Sequence, residues 1–84
     1  MRITSLFDRK NMISQKQSLV EVVGYRRVLI ENHTGIALYS SNEIQIKVSY
    51  GRVCIMGSEM YLVHVGREQL VIVGCVDSLQ IIRR

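Results

Sequence analysis

Proline and tryptophan are absent from this sequence of 84 residues, and cysteine occurs only twice. Cys54 and Cys75 are too few for a disulfide framework, and they lack the C-x-x-C spacing of zinc or redox sites. The N-terminus lacks the long apolar core and small-residue cleavage site that mark a secretory signal. The expected compartment is therefore the reducing cytoplasm.

Long apolar runs are also missing, since none approaches the roughly 20 residues that cross a bilayer. A membrane role would therefore be peripheral or would depend on a partner. Apolar residues nevertheless make up 48% of the chain, and many are Val or Ile. This composition excludes disorder and favours strands over a helical bundle. A domain of this size buries only about 60–65% of its extended-chain surface, so a stable monomer is not assured.

The formal net charge of +4 comes from the two ends of the chain. The segment from Gln17 to Ile82 contains five basic and six acidic residues, so its net charge is close to zero. This balance argues against a nucleic-acid-binding protein, although a small β-barrel that binds single strands through basic and aromatic residues remains an alternative. Only Tyr25-Arg26-Arg27 has that character. The alternative gains support if this trio shares a surface with Lys47 and Arg52.

Residues 1–18 form a separate N-terminal arm in this reading, either frayed or folded as a short helix. Ile3, Leu6 and Phe7 begin a loose apolar stripe that could cover part of a sheet. The competing interpretation is a basic amphipathic segment on an anionic membrane surface, which Asp8 and the short stripe weaken.

The sequence of residues 19–84 predicts a single all-β domain. The clearest strand is Glu43 to Tyr50, where Ile44, Ile46 and Val48 alternate with polar residues, as one buried face requires. Short apolar segments are interrupted at near-regular intervals by Gly51, Gly57, Gly66 and Gly74. We expect each glycine to separate two strands, which gives about eight strands in a small antiparallel meander folded as a sandwich or roll. A short β-solenoid is the alternative.

Two of the expected strands, 60–65 and 70–73, are apolar on both faces, which predicts cover from two sides. The cover could come from a central position in the fold, from the N-terminal arm or from another chain. We therefore expect an outward apolar patch and a homo-oligomer or protein partner. The residues expected in this patch are Met56, Met60, Tyr61, Val63 and Val71.

No arrangement in the sequence predicts catalysis. His33 and His64 are the only imidazoles, and a metal site formed by Cys54, Cys75 and His64 is a remote alternative because the three residues match no ligand spacing. The glycines form no phosphate-binding loop. We predict no enzyme activity, no cofactor and no small-molecule substrate.

Three segments together carry a family resemblance. They are IENHTGI (30–36), EIQIKVSYGRVCIMGSEM (43–60) and LVIVGCVDSL (70–79), and in this order they resemble the YabP/YqfC family of bacterial sporulation proteins, nearer to its YqfC-like branch. One departure is Cys75, where the family pattern has a basic or polar residue.

The resemblance implies a sporulation protein made in the mother cell, without catalytic activity, that acts at the forespore surface beside an integral membrane protein. It also divides the matching positions into core residues and a polar remainder, which consists of Asn32, His33, Asp77 and Ser78. We expect those four to be turn and bend residues first and partner contacts second.

Overall fold

A computed structural model describes residues 17–66 and 68–84, and in them every regular element is a β-strand. The strands are β1 (Leu19–Val23), β2 (Arg27–Glu31), β3 (Gly35–Tyr39), β4 (Glu43–Val48), β5 (Gly51–Val65) and β6 (Gln69–Arg83). They form one antiparallel sheet in the order β1-β2-β6-β5-β4-β3. The all-β prediction is confirmed, and the antiparallel pairing shows that the solenoid alternative is wrong. The predicted arm or helix over residues 1–16 lies outside the described residues.

Two glycines that were expected to end strands instead lie inside long ones, so six strands replace the predicted eight. Gly57 lies within β5 and Gly74 within β6, and each of these strands is 15 residues long. The ladder between them continues past both glycines through shifts in register. The prediction failed because a glycine at a close backbone approach produces the same spacing as a glycine in a turn.

The bend in β5 and β6 arises from these irregularities. Glu59 has a φ of 52°, and the register with β6 shifts between Ser58 and Tyr61. The bulge leaves backbone N–H groups without partners in the β5–β6 ladder. Backbone carbonyls in the neighbouring hairpin turns accept hydrogen bonds from these groups. Gly57 and Met60 donate to the carbonyls of Asn42 and Ser41. On β6, Gly74 and Val76 donate to the carbonyls of Arg26 and Tyr25.

The short β2–β3 connection requires the sheet to curl. These two strands are separated by four positions in the sheet, which in a flat sheet would be about 19 Å at roughly 4.8 Å per strand. The chain from Glu31 to Gly35 can span at most about 14 Å. The sheet therefore rolls over itself, and hydrogen bonds between Ser18, before β1, and Ser49, after β4, join the two layers.

The core lies between these two layers. β2 and the first half of β6 contribute one set of fully buried side chains, and β4 and the first half of β5 contribute the other. The buried apolar core residues are Val28, Ile30, Ile44, Ile46, Val48, Val53, Ile55, Met60, Leu70 and Ile72. The alternation predicted for Glu43–Tyr50 is confirmed as far as Val48, where β4 ends, because Ile44, Ile46 and Val48 all point into this core.

Candidate interaction surfaces

The side of the sheet that faces away from the core is apolar where β1, β2, β6 and the end of β5 lie side by side. Cross-strand partners point to the same side of a sheet. Val23 pairs with Arg27, Arg27 with Val73, and Val73 with Tyr61, while Leu29 pairs with Val71 in the adjacent row. We call Val23, Leu29, Tyr61, Val71 and Val73 the outer patch. Val23 and Tyr61 are about half exposed, and the other three are partly buried.

The same side of the sheet is polar over its other half. There Gln45 of β4 is the cross-strand partner of Cys54, and Cys54 is the partner of Gln80. The Arg52 guanidinium donates to the Gln45 side-chain oxygen at 3.3 Å, and the Gln45 amide donates to the Glu43 carboxylate at 2.8 Å. The outer surface therefore changes from polar to apolar across the bend.

Four of the residues that sequence reasoning proposed as partner contacts lie on β5, and they do not share one surface. Tyr61 belongs to the outer patch, and Val63 beside it is 52% exposed. Met56 is 44% exposed but lies on the polar half, opposite Glu43 and Ser78. Met60 is only 2% exposed. The expectation that Met60 points outward is therefore wrong: the bulge at Glu59 turns its side chain into the core.

The polar positions at the end of the family motif act on the shape of β6. Val76 pairs with Gly57 and Ser78 with Met56, which leaves Asp77 as the extra residue of a bulge. Both Asp77 and Ser78 are exposed within the strand. The prediction that this pair bends or bulges the strand is confirmed, and their role as partner contacts stays a prediction.

Asn32 and His33 organise the connection that joins the two layers. Asn32 has a left-handed φ of 59°, and its side-chain amide donates to the carbonyl of Gln17 at 3.0 Å. His33 Nε2 lies 3.2 Å from the carbonyl of Gly66, and because a carbonyl oxygen only accepts, Nε2 is the donor in this contact. The other ring nitrogen, Nδ1, is buried without a hydrogen-bond partner among the described residues. Both residues thus have structural roles, as expected.

The sequence analysis did not predict a basic groove, which lies where β4, β5 and β6 meet and is also lined by Thr34, the residue after His33. Its cationic lining consists of Lys47, Arg52, Arg83 and Arg84, from β4, β5 and the end of β6. The sequence signal was weak, because Lys47 and Arg52 are far from the terminal arginines along the chain. Only the antiparallel register between β4, β5 and β6 makes them neighbours.

The basic and aromatic residues that the nucleic-acid alternative requires on one surface lie in two separate grooves. Arg26 and Arg27 line one groove with Tyr61, whereas Lys47 and Arg52 line the other, and no described residue lines both. Gly74 belongs to the first groove and Ile82 to the second, so eight steps of β6 separate them, about 26 Å of extended strand.

The histidines and cysteines are likewise dispersed. His64 pairs with Val71, while Cys54 lies on the other side of the bend in the same strand, and Cys75 pairs with Ser58. In residues 17–66 and 68–84, no group of three His, Cys, Asp or Glu side chains could hold a metal ion. Over the same ranges, no helix has the length and apolar character needed to cross a membrane.

These features define a small rolled antiparallel sheet with an apolar outer patch on one half and a basic groove on the other. The chain belongs to the YabP family, whose model matches residues 14–83. A curated relative, the "Uncharacterized protein YqfC" of Bacillus subtilis (strain 168), is 28% identical over 61 residues, which are 73% of this chain. That match covers 66% of the relative's own length, just under two thirds. No solved structure matches the chain. The resemblance to the YabP/YqfC family is therefore confirmed.

Proposed function

We propose that this chain is a non-enzymatic sporulation factor that works by protein–protein assembly in the mother cell, at the forespore surface and beside a membrane protein. Membership of the YabP family and the similarity to YqfC support the link to sporulation. The proposal includes no catalysis, cofactor or small-molecule substrate. Protein–protein assembly is supported by the outer patch, which is the single structural observation that carries the proposal.

The outer patch is large enough to be an interaction site. Four strands about 4.8 Å apart, each contributing roughly five residues at about 3.3 Å, form a plane of about 300 Å², which the outer patch shares with Glu21 and Arg27. Exposed apolar patches on small soluble domains are often functional. Val23 and Tyr61 are about half exposed among the described residues. Burial of these side chains by another chain would therefore remove apolar surface from water.

The first partner we assign to this patch is a second copy of the chain. Glu21 and Arg27 lie on the same side of the sheet as the patch, one row apart, and both are exposed. In a two-fold arrangement, Glu21 of each copy can face Arg27 of the other, so the patch is complementary to itself. The charges then align the two copies while the apolar residues supply most of the affinity.

The size of the patch also limits the strength of this contact. A standard stable interface buries about 800 Å² on each partner. The outer patch alone is smaller, so self-association should depend on protein concentration instead of producing a permanent dimer. A membrane protein that covers the patch and the adjacent edge strand β1 would bury more surface and displace the second copy.

Size-exclusion chromatography with light scattering tests the assembly. We expect the mass of the wild-type chain to rise with concentration, and Tyr61→Ser/Val23→Ser to remain monomeric. The matched control is Tyr25→Ser/Val22→Ser, which removes the same residue types at similar exposure, from the turn and from the core-facing side of β1. This control should associate like the wild type. A wild-type monomer at every concentration, or equal effects of both double variants, would contradict the proposal.

The role in sporulation needs a separate measurement in a spore-forming host. Deletion of the gene should lower the count of heat-resistant spores, and the Tyr61→Ser/Val23→Ser variant should restore it less well than the matched control at equal protein level. An unchanged spore count after deletion would refute this role. Tight, steeply salt-dependent binding of single-stranded RNA in a gel shift would instead favour the nucleic-acid alternative.

A further inference from the structure

The basic groove, of about 390 Å³, lies where β4, β5 and β6 meet at the end of the sheet. Four cationic residues line it, Lys47, Arg52, Arg83 and Arg84, and among residues 17–66 and 68–84 no acidic residue does. Arg84 is held in place because its guanidinium donates to the carbonyl of Ser49 at 2.8 Å and its backbone N–H donates to the carbonyl of Tyr50. The charges are thus concentrated at a position that the fold itself fixes.

Two of these cations form an unfavourable pair in the absence of an anion. Lys47 and Arg52 are direct cross-strand partners on the same side of the sheet. Like charges in this position repel each other and destabilise a sheet. The Glu43 carboxylate reaches Arg52 only through the Gln45 amide, which lies between them. A bound anion would relieve the repulsion, which makes the pair typical of a binding site and costly as a purely structural feature.

The surroundings of the groove favour a lipid over a nucleic acid. Ile82 lies on the same side of the sheet as Lys47 and Arg52, lines the groove and is 38% exposed. Cationic side chains beside exposed apolar ones match the boundary between headgroups and acyl chains of an anionic membrane. Binding of single strands would require exposed aromatic rings for base stacking. The adjacent ring, Tyr50, is instead partly buried against the core.

The floor of the groove is formed partly by backbone. Gly51 lies so close to β6 that a Cβ atom there would come 2.0 Å from the carbonyl oxygen of Ile82. The missing side chain lets the β6 backbone pack directly against β5, which brings Ile82 and the arginines that follow it next to Lys47 and Arg52. Cationic residues from β4, β5 and the end of β6 therefore line one groove that is large enough for a phosphate group.

The geometry points to a binding site for the phosphate of an anionic phospholipid headgroup, formed by Lys47, Arg52, Arg83 and Arg84. Binding there places this end of the sheet on a membrane surface and leaves the outer patch, on the other half, free for a protein partner. The site does not depend on self-association, so the two proposals can fail separately.

Vesicle flotation of the full 84-residue chain tests the site. The probes are vesicles of phosphatidylglycerol mixed with phosphatidylcholine, and vesicles of phosphatidylcholine alone. The test variant is Arg52→Gln. Its matched control, Arg26→Gln, removes one exposed positive charge from the other groove and therefore has the same net charge.

We expect the wild type to bind only the anionic vesicles. The loss of one cation at the membrane surface should weaken binding by roughly fivefold, whereas the control should stay within about twofold of the wild type. Equal weakening of both variants would show that net charge alone drives binding, and an unchanged test variant would assign binding to another segment. Either result overturns the proposal.

Two further measurements keep the test independent of variant folding. In the wild-type protein, NMR titration with short-chain phosphatidylglycerol should shift the amides of Gly51 and Ile82 before those of Arg27 and Gly74. The reverse order would overturn the site. Titration with inorganic phosphate distinguishes the source of the anion: binding of free phosphate as tight as binding of the anionic vesicles would overturn the assignment to a lipid.

Discussion

Ser18 and Ser49 exchange two hydrogen bonds, although 31 positions separate them in the sequence. The Ser18 N–H donates to Ser49 Oγ at 3.1 Å, and the Ser49 N–H donates to Ser18 Oγ at 2.8 Å. Ser18 Oγ also donates to the carbonyl of Asn32 at 2.7 Å. One buried hydroxyl therefore joins the segment before β1, the β2–β3 connection and the β4–β5 turn. These hydrogen bonds hold the two layers of the sheet together at this point.

Replacing that hydroxyl should weaken the whole domain. Ser18→Ala leaves the Ser49 N–H and the Asn32 carbonyl without their partner, which costs about 2 kcal/mol when such groups are buried. Urea denaturation followed by circular dichroism measures the change. Ser41→Ala is the control, because within the described residues its exposed hydroxyl donates only to the neighbouring Asn42 side chain, and it should cost under about 0.5 kcal/mol. Equal urea midpoints for the two variants would show that the hydrogen bonds of the Ser18 hydroxyl do not contribute to the stability of the domain.

The bend in the sheet depends on the absence of a side chain at Gly74. Its φ is 141°, and a Cβ atom there would come 2.6 Å from the carbonyl oxygen of Glu59 and 2.7 Å from Cα of Met60. Both contacts are with backbone, so Gly74→Ala must distort the bulge and should cost more than about 3 kcal/mol.

Gly24→Ala separates this clash from the cost of the backbone conformation. Gly24 also has a positive φ, 59°, but a Cβ atom there meets nothing within 4 Å. This variant should lose only about 1 kcal/mol. Thermal unfolding compares the two, and a Gly74→Ala protein as stable as Gly24→Ala would contradict the bulge geometry.

The fold class could be predicted because it depends on local patterns. Alternation over Glu43–Val48 specifies a strand with one buried face, and Asn32 and Gly35 specify a turn between strands. Strand continuity could not be predicted, because it depends on what lies opposite each glycine. Gly57 permits the close approach of the Cys75 carbonyl, a contact that no local pattern encodes.

The surfaces were predictable only in part, for the same reason. Tyr61 and Val63 were correctly expected to point outward, since they lie on a strand that is apolar on both faces. Met60 was wrongly expected to point outward, because the left-handed conformation of Glu59 reverses the alternation of side chains at that point. The basic groove depends on the pairing of β4, β5 and β6, and neighbours created by register are invisible in a single sequence.

Burial along β6 predicts a sharp contrast between two isoleucines. Ile72 is fully buried between β2 and β5, where it pairs with Val28 and Leu62, whereas Ile81 is 47% exposed. Ile72→Ala should cost about 4 kcal/mol through lost burial and the cavity left behind. Ile81→Ala on the same strand should cost less than about 1 kcal/mol. Chemical denaturation measures both, and similar losses would place the core elsewhere.

The two thiols should differ in their rates of alkylation. Cys54 is only 8% exposed, between Gln45 and Gln80, while Cys75 is partly exposed and lines the groove beside Arg26. Iodoacetamide, which is uncharged, should modify Cys75 in the native protein and reach Cys54 only after local opening, at least about 100-fold more slowly. Mass spectrometry of Cys54→Ala and Cys75→Ala assigns each phase. Because Cys54 lies in the ladder between β4 and β6, fast modification of this thiol would mean that the pairing of β5 is not maintained in solution.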